Sequence, residues 1–132
     1  MNEEKNTGQK ITFEIKGEPA SKANSRRIVT IKGKPRLIKS QKALDYCKSF
    51  ALQCPQLDDL MEGDLSSEIH IWYASRRPDL DESVILDEMQ GRIYINDRQV
   101  KEKNVYWHLD RERPRSLISV KPLEGSDHSG SS

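Results

Sequence analysis

The sequence predicts an α+β domain, with one small mixed β-sheet and two helices packed against it. Segments that alternate apolar and polar residues outnumber segments with a helical repeat, and long crossover connections are few. The 132 residues suit a single domain and contain no internal repeat. We therefore expect one folded domain over residues 10–123, flanked by polar, disordered termini at 1–9 and 124–132.

The first half of the chain predicts a strand, a hairpin and a helix, in that order. Apolar residues alternate with polar ones over Ile11–Ile15, and a loop rich in Pro, Ser and Asn follows. The segments Ile28–Ile31 and Arg36–Lys39 flank a Lys-Gly-Lys-Pro turn, which is typical of a hairpin. Ser40 is a suitable N-cap for a helix that must end before Pro55.

The second half predicts three strands and a short helix. Alternation returns at Glu68–Tyr73, after an acidic loop. A helix over Ser83–Gln90 would end at Gly91, because glycine readily adopts the left-handed conformation that closes a helix. The last two strands are expected at Val105–Leu109 and Leu117–Val120, joined by a polar turn.

Composition excludes several classes of protein. Hydrophobic residues make up 34% of the chain and charged residues 33%, and no apolar run is long enough to cross a bilayer. The polar start MNEEKNTGQK does not have the pattern of a signal peptide. Cys47 and Cys54 are too far apart on a helix for a disulfide and match no zinc spacing, so we expect buried free thiols and a cytoplasmic protein.

The net charge of +1 conceals a strong segregation of charge along the chain. No acidic residue lies between Glu18 and Asp45. Between Lys48 and Arg76 the pattern is reversed, because acidic residues occur there and no Lys or Arg does. The basic stretch contains eight cations: Lys22, Arg26, Arg27, Lys32, Lys34, Arg36, Lys39 and Lys42. Such a stretch suits a polyanion, because cations that neutralise phosphates release counterions. The alternative is a solvated hairpin without a ligand.

The segment Arg76–Val100 contains the strongest sign of chemistry. Asp79 and Asp81 are two residues apart, so on an extended strand both would point to the same face, and Asp97 follows a short apolar piece. Three carboxylates in a small volume repel one another unless protons or a divalent cation compensate them. Carboxylate oxygens, water and substrate phosphate are the usual ligands of Mg²⁺, so the segment predicts a magnesium site for phosphodiester chemistry.

These motifs resemble the RusA family of Holliday junction resolvases. The likeness rests on RPDLD, on the short helix that ends at Gly91, and on NDRQV. Upstream, GEPASKANSRR is similar to the family's basic glycine-proline loop, and downstream Arg113, Pro114 and Arg115 match its turn before the last strand. The resemblance covers about residues 11–123.

The resemblance implies a Mg²⁺-dependent endonuclease that cuts four-way junctions and other branched DNA in recombination and repair. By position, Asp79, Asp81 and Asp97 would be the catalytic, metal-binding aspartates. It also implies a homodimer with one active site per subunit and no small-molecule cofactor, working in the cytoplasm of a bacterium or a phage-infected host. The expected DNA contacts are Lys22, Asn24, Arg26, Arg27, Arg76 and Arg77.

Three departures from the family pattern bear on activity. Glu82 stands where an Asn is usual, Asn96 stands where an Asp is usual, and the helix region is about two residues shorter. The lysine often found early in that helix has no counterpart. Its charge is lost or supplied by another base, for which the candidates are Arg76, Arg77, Lys101 and Lys103. The alternative function is therefore a RusA-fold protein that binds branched DNA without cutting it.

Other polar and aromatic residues are expected to have structural roles. His70 and His108 fall in strand patterns and are interpreted as satisfied or half-exposed strand histidines. Packing in the core or at a dimer interface is favoured for Trp72 and Trp107 over stacking on unpaired bases. The acidic residues of the second helix are expected to form a solvated face, namely Glu82, Asp87 and Glu88.

Overall fold

The elements follow the predicted order, and most strands are longer than the sequence pattern indicates. A computed structural model describes residues 10–21, 26–76 and 78–123. The strands are β1 (Ile11–Lys16), β2 (Arg26–Ile31), β3 (Lys34–Lys39), β4 (Leu65–Tyr73), β5 (Val100–Leu109) and β6 (Arg115–Pro122). The helices are α1 (Gln41–Gln53) and α2 (Ser83–Met89), and a 3₁₀ turn (Asp97–Gln99) precedes β5.

The α+β class and the mixed sheet are confirmed, with one addition. Four strands form a sheet in the order β1-β6-β4-β5, in which β4 and β5 are parallel and the other neighbours antiparallel. The hairpin strands β2 and β3 pair with each other as a separate two-stranded sheet. The single predicted sheet is thus two sheets in the described residues, because the hairpin strands pair only with each other and stay mostly exposed.

The core lies on one face of the four-stranded sheet. The alternation predicted for β4 is confirmed, since Ile69, Ile71 and Tyr73 are fully buried while His70 and Trp72 are half-buried. Both helices contribute apolar side chains to the same cluster as these strand residues. The helical members that are buried are Tyr46, Phe50, Val84, Ile85, Leu86 and Met89.

Local signals place both ends of α1 and the end of α2. The Ser40 hydroxyl accepts a hydrogen bond from the backbone N–H of Ala43 at 3.1 Å, so Ser40 is the predicted N-cap. The helix ends at Gln53, two residues before Pro55. Gly91 follows α2 with φ +83°, which agrees with its predicted role in ending that helix.

The β2–β3 hairpin turns at Lys32 and Gly33. Both residues have positive φ, 52° and 77°, as a two-residue type I′ turn requires. Six paired positions, from Arg26↔Lys39 to Ile31↔Lys34, form the ladder. The strands are exposed along most of their length, so the hairpin is an arm whose own ladder, more than burial, keeps it ordered.

The two cysteines are free thiols, as predicted. Cys54 is buried and Cys47 half-buried, and burial raises the pKa of each thiol to about 11. Both are therefore protonated and unreactive at neutral pH. Among the described residues, neither helix is long and apolar enough to cross a membrane.

Candidate active site and nucleic-acid interface

Asp79 and Asp81 lie in the loop between β4 and α2, and the loop gives them different environments. β4 ends at Tyr73, so the expectation of two carboxylates on one face of a strand is wrong. Asp79 is exposed, whereas Asp81 is 6% exposed. Asp81 Oδ1 accepts hydrogen bonds from the backbone N–H and the hydroxyl of Ser83, at 3.0 and 2.7 Å. Asp81 therefore caps the first turn of α2, where Glu82 makes no side-chain cap.

The loop is fixed to the sheet just before these carboxylates. Trp107 donates its indole N–H to the carbonyl of Pro78 at 3.1 Å, and the Tyr73 hydroxyl donates to the carbonyl of Asp79 at 3.3 Å. Trp107 is thus a structural anchor, as favoured from the sequence. Because two side chains of the sheet hold consecutive carbonyls, the backbone at Asp79 has a defined position.

Asp97 is presented by a 3₁₀ turn that a single glutamine organises. Gln99 Oε1 accepts from the backbone N–H groups of Ile95 and Asn96, at 3.0 and 2.9 Å. Its Nε2 donates to the carbonyls of Met61 and Gly63, at 2.9 and 3.0 Å. The amide thus uses two lone-pair and two N–H sites, which fixes the turn to the loop that precedes β4. The sequence interpretation assigned Gln99 no role.

Two further amide side chains complete the Asp97 turn. Asn96 Oδ1 accepts from the backbone N–H of Arg98 at 2.8 Å, and Gln90 Oε1 accepts from the N–H of Asp97 at 2.9 Å. An aspartate at position 96 would cap the turn equally well, so this departure from the family pattern preserves the local structure. The neutral amide adds no further charge beside Asp97.

Asp97 lies next to Asp87, which the sequence interpretation placed on a solvated helix face. Asp87 is half-buried, and the pKa of its carboxyl is raised by burial and then by repulsion from Asp97. Burial, followed by repulsion from the same two carboxylates, also raises the pKa of Tyr94. Asp87 was therefore a missed site residue. Asp87 lies three residues after Val84, which is buried. This spacing would have indicated that Asp87 lies at the edge of the buried face of α2.

The predicted aspartates are divided between the two ends of α2. Asp81 lies at its N-terminus, while Asp97 adjoins Asp87 near its C-terminus, and seven residues of α-helix span roughly 10 Å. Within residues 10–21, 26–76 and 78–123, no three His, Cys, Asp or Glu side chains are grouped closely enough to hold a metal ion. The predicted magnesium site stays a prediction.

A second acidic group surrounds the hydroxyl of Tyr73, and a lysine reaches it. Burial, and after it the negative charges of Asp81, Glu18 and Glu82, raise the pKa of Tyr73 to about 12. Glu18 Oε1 also accepts from the backbone N–H of Ala74 at 2.8 Å, a role that the sequence did not suggest. Lys103 Nζ lies 2.5 Å from Glu82 Oε2, which brings an ammonium to the residue that precedes the first turn of α2.

Lys103 is therefore the best placed of the four cations considered as substitutes for the helix lysine. Arg76 and Lys101 are exposed, and in the described part of the chain neither has an ion pair with these carboxylates. Arg77 lies outside the described residues. Position 103 is on β5, so tertiary folding and not helix spacing brings this charge to the N-terminus of α2.

The base of the hairpin carries basic side chains close to the Asp87–Asp97 pair. Arg26 and Lys39 are cross-strand partners, and the charges of both lower the pKa of Asp87 against the larger effect of burial. Arg27 is exposed on the opposite face of β2. Two other predicted DNA contacts, Lys22 and Asn24, lie outside the described residues. The cationic arm and the carboxylates thus belong to one region of the surface.

The sheet face opposite the helices carries a column of stacked rings. Its ring centroids are 4.6 Å apart between Tyr106 and His70, 5.1 Å between His70 and His108, and 4.5 Å between His108 and Trp72. The Arg115 guanidinium lies 4.2 Å from the centroid of Trp72. The Trp72 ring is thus already stacked against His108 and Arg115, which disfavours Trp72 as a platform for unpaired bases.

The two histidines of this column satisfy each other, as the sequence interpretation favoured. His70 Nδ1 and His108 Nε2 are 2.8 Å apart, and His70 Nε2 is 2.8 Å from Glu68 Oε2. Burial, the charge of His70 and the charge of Arg115 together lower the pKa of His108. The surroundings of His108 therefore disfavour its protonated form.

Comparison with known proteins identifies a family for most of the chain. Residues 16–121 match the family model described as Endodeoxyribonuclease RusA. The matched region begins at the end of β1 and continues through β6, so it includes the hairpin, both helices and every carboxylate described above. No curated protein matches the sequence.

Proposed function

Because the chain belongs to the RusA endodeoxyribonuclease family, we propose that it resolves Holliday junctions and other branched DNA by paired nicks during recombination and repair. The observation that best supports this is the position of the hairpin base, where Arg26 and Lys39 influence the carboxyl of Asp87. Asp87 in turn adjoins Asp97. A polyanion held along the arm would bring a phosphate to the carboxylates.

The charge pattern supports phosphate binding over base recognition. The hairpin cations are long, exposed side chains on an arm, which suits contacts to the DNA backbone that set position and orientation. Such contacts read the path of the backbone in a branched molecule and leave base sequence largely unread. The proposed DNA contacts are Lys22, Asn24, Arg26, Arg27, Arg76 and Arg77.

Magnesium is the proposed cofactor, and the donor set fits it chemically. Carboxylate oxygens are hard ligands, and the raised pKa of Asp87 beside Asp97 indicates negative charge that a cation would relieve. Asp79, Asp81 and Asp97 are the proposed ligands. When bound, Mg²⁺ supplies an activated water and stabilises charge on the leaving oxygen.

The protein's own groups would position the substrate and the carboxylates. Gln99 fixes the backbone of the Asp97 turn through four hydrogen bonds. Asp81 is held by Ser83, and Lys103 forms an ion pair with Glu82, the next residue along the chain. We propose that Lys103 supplies the charge of the missing helix lysine. It would stabilise negative charge on the phosphate as the bond breaks.

We propose a homodimer as the active form. Resolution of a four-way junction requires two nicks in strands of like polarity, and each subunit provides one set of Asp79, Asp81 and Asp97. A twofold axis relating two subunits would match the approximate twofold symmetry of the junction.

Asp81→Asn tests the catalytic assignment with little risk to folding. The asparagine keeps an oxygen that can accept from the Ser83 N–H and hydroxyl, so the cap on α2 survives. We expect cleavage of a synthetic four-way junction in Mg²⁺ to fall at least ~100-fold, because a ligand and its charge are lost. Junction binding should be unchanged or tighter, since a repelling charge is removed.

Asp58→Asn is the matched control, because Asp58 is an exposed carboxylate in the acidic loop. It should cut at the parent rate, at metal concentrations where the parent is saturated. Parent-level cleavage by Asp81→Asn would remove Asp81 from the active site. A similar loss in both variants would indicate a general effect of charge.

Charge reversal at Arg26 and Arg27 tests the DNA path. Junction binding should weaken, and the slope of log K against log salt should become shallower by about 2 if each arginine neutralises one phosphate. Reversal of Arg98, an exposed arginine in the 3₁₀ turn, provides the comparison. Equal affinity and slope in the Arg26/Arg27 variant would place the DNA path elsewhere.

The second candidate is a RusA-fold protein that binds branched DNA without cutting it. Two observations favour it: α2 lacks the lysine often found in the family, and the described carboxylates are not gathered around one point. A Mg²⁺ titration with junction, fork and linear duplex discriminates between the candidates. Junction binding without cleavage at any Mg²⁺ concentration would support this second function.

A further inference from the structure

The β2–β3 hairpin exposes two large apolar side chains that lie side by side. Ile28 is 71% exposed and Leu37 is 64% exposed. They are directly opposed in the antiparallel ladder, so their side chains project from the same face of the ribbon. Adjacent exposed Ile and Leu side chains at the surface of an arm lose the stabilisation that burial would give them.

Charge complementarity indicates what covers this apolar pair. Arg26 and Lys39 are the next residues on the same face toward the base of the hairpin, because side chains alternate between faces along a strand. The sequence from residue 19 to 44 contains no acidic residue. A twofold contact between two hairpins would set one cationic arm against another, whereas a polyanion would neutralise the cations of the arm.

We propose that Ile28 and Leu37 form an apolar wedge that enters the base stack at the branch point of DNA bound along the hairpin. This inference rests on the proposed function and adds a recognition device to it. Ile and Leu are among the side chains that proteins insert between base steps. A two-stranded ribbon is also narrow enough to enter the major groove.

The wedge explains preference for branched DNA without base-specific contacts. Inserting a side chain into continuous duplex requires unstacking of a base step, which is unfavourable. At a branch point the stack is already interrupted, so the same insertion costs less. Phosphate contacts from the hairpin would occur with both kinds of DNA, and the apolar pair would contribute fully only at the branch.

The position of the wedge relative to the carboxylates predicts where cleavage occurs. Ile28 is two strand positions from Arg26, which corresponds to roughly 7 Å, or about two base-pair rises. Arg26 and Lys39 in turn lie near the carboxyl of Asp87, which adjoins Asp97. Nicks should therefore fall within a few nucleotides of the branch.

The experiment compares Ile28→Thr/Leu37→Thr with Ile31→Thr, both in the Asp81→Asn background so that bound DNA stays intact. Threonine is β-branched and suits strands at both positions, so the hairpin is retained. Ile31 is 48% exposed on the opposite face of the same ribbon, which makes it a matched control. The probes are a four-way junction with 2-aminopurine beside the branch and a linear duplex of the same sequence.

We expect the background protein and the Ile31→Thr control to raise 2-aminopurine fluorescence on binding the junction. The double variant should lose this rise and bind the junction at least ~10-fold more weakly, while its affinity for the linear duplex changes less than about twofold. An unchanged fluorescence rise and an unchanged preference for the junction would overturn the wedge.

Two further outcomes distinguish the ways in which the inference can fail. Sedimentation of each protein without DNA reports its oligomeric state. Conversion of the double variant to a lower oligomer would assign the pair to an interface between copies and overturn the wedge. If the background protein itself shows no preference for the junction, the proposed function fails. If the background protein prefers the junction and the double variant shows the same preference, the wedge is refuted and the proposed function is not.

Discussion

Replacing Gln99 with alanine should destabilise the protein by loosening the Asp97 turn. The substitution removes four hydrogen bonds, and each contributes about 0.5–1.5 kcal/mol. Ile95, Asn96 and Gly63 are exposed, so water can replace the side chain at three of the four backbone groups. The carbonyl of Met61 is half-buried and loses most. We expect a net loss of ~2 kcal/mol.

Urea unfolding measures this loss directly. With a slope of about 2 kcal/mol per molar urea, the midpoint of Gln99→Ala should fall by about 1 M. Gln99→Glu should show an intermediate loss, because its carboxylate accepts from both N–H groups but offers no donor to Met61 and Gly63. Gln41→Ala is the control, since the Gln41 amide bonds only the exposed Asp45 in α1 among the described residues.

The same variant should separate binding from catalysis. A misplacement of about 1 Å in a catalytic group lowers the rate by roughly 100-fold, and Gln99 holds the backbone from which Asp97 projects. Junction cleavage should therefore fall about 10- to 100-fold while junction affinity changes less than threefold. The reasoning is refuted if Gln99→Ala unfolds within about 0.5 kcal/mol of the parent, or if Gln99→Glu is as stable as the parent.

Three further predictions concern stability and pH. Tyr94→Phe should lower the free energy of unfolding in urea by about 1–2 kcal/mol, because the buried carbonyl of Leu86 loses the hydroxyl that donates to it at 2.7 Å. An unchanged free energy of unfolding would mean that water replaces the hydroxyl. Because the pKa of His108 is lowered, the folded state binds fewer protons than the unfolded state as pH falls below about 6.5, so the free energy of unfolding should decrease between about pH 7.5 and 5. His108→Gln should reduce that decrease. An identical pH dependence of stability in the parent and the variant would contradict this prediction. Ser83→Ala should destabilise α2 by about 0.5–1 kcal/mol, since Asp81 keeps the backbone N–H and loses the hydroxyl; a thermal melt within error of the parent would show that this bond contributes nothing.

Local sequence signals were sufficient for the element order, the fold class and the basic hairpin. Ser40 indicated the start of α1 because a side-chain oxygen at that position satisfies a free N–H of the first turn. Gly91 indicated the end of α2 because the backbone there needs positive φ. The period of two in β4 indicated its buried face, since alternate strand residues point to the same side.

The lengths of β5 and β6 and the separation of the hairpin depended on tertiary pairing. β5 begins at Val100, although Lys101, Glu102, Lys103 and Asn104 are polar, because hydrogen bonds with β4 and not burial order this part of the strand. Likewise, the hairpin forms a sheet of its own, because its ladder is made within the arm and no strand of the main sheet pairs with it in the described residues.

The sequence by itself determined which chemical groups are available: three aspartates between two basic segments, in a pattern that resembles a nuclease family. Only the tertiary structure decided their surroundings. It buries Asp81 as a helix cap, leaves Asp79 exposed, and sets Asp97 beside Asp87. It also brings Lys103 from β5 to the acidic end of α2. The physical reason is that local periodicity reports which face a residue occupies, while charge interactions depend on distances between elements that only packing of the sheet and helices sets.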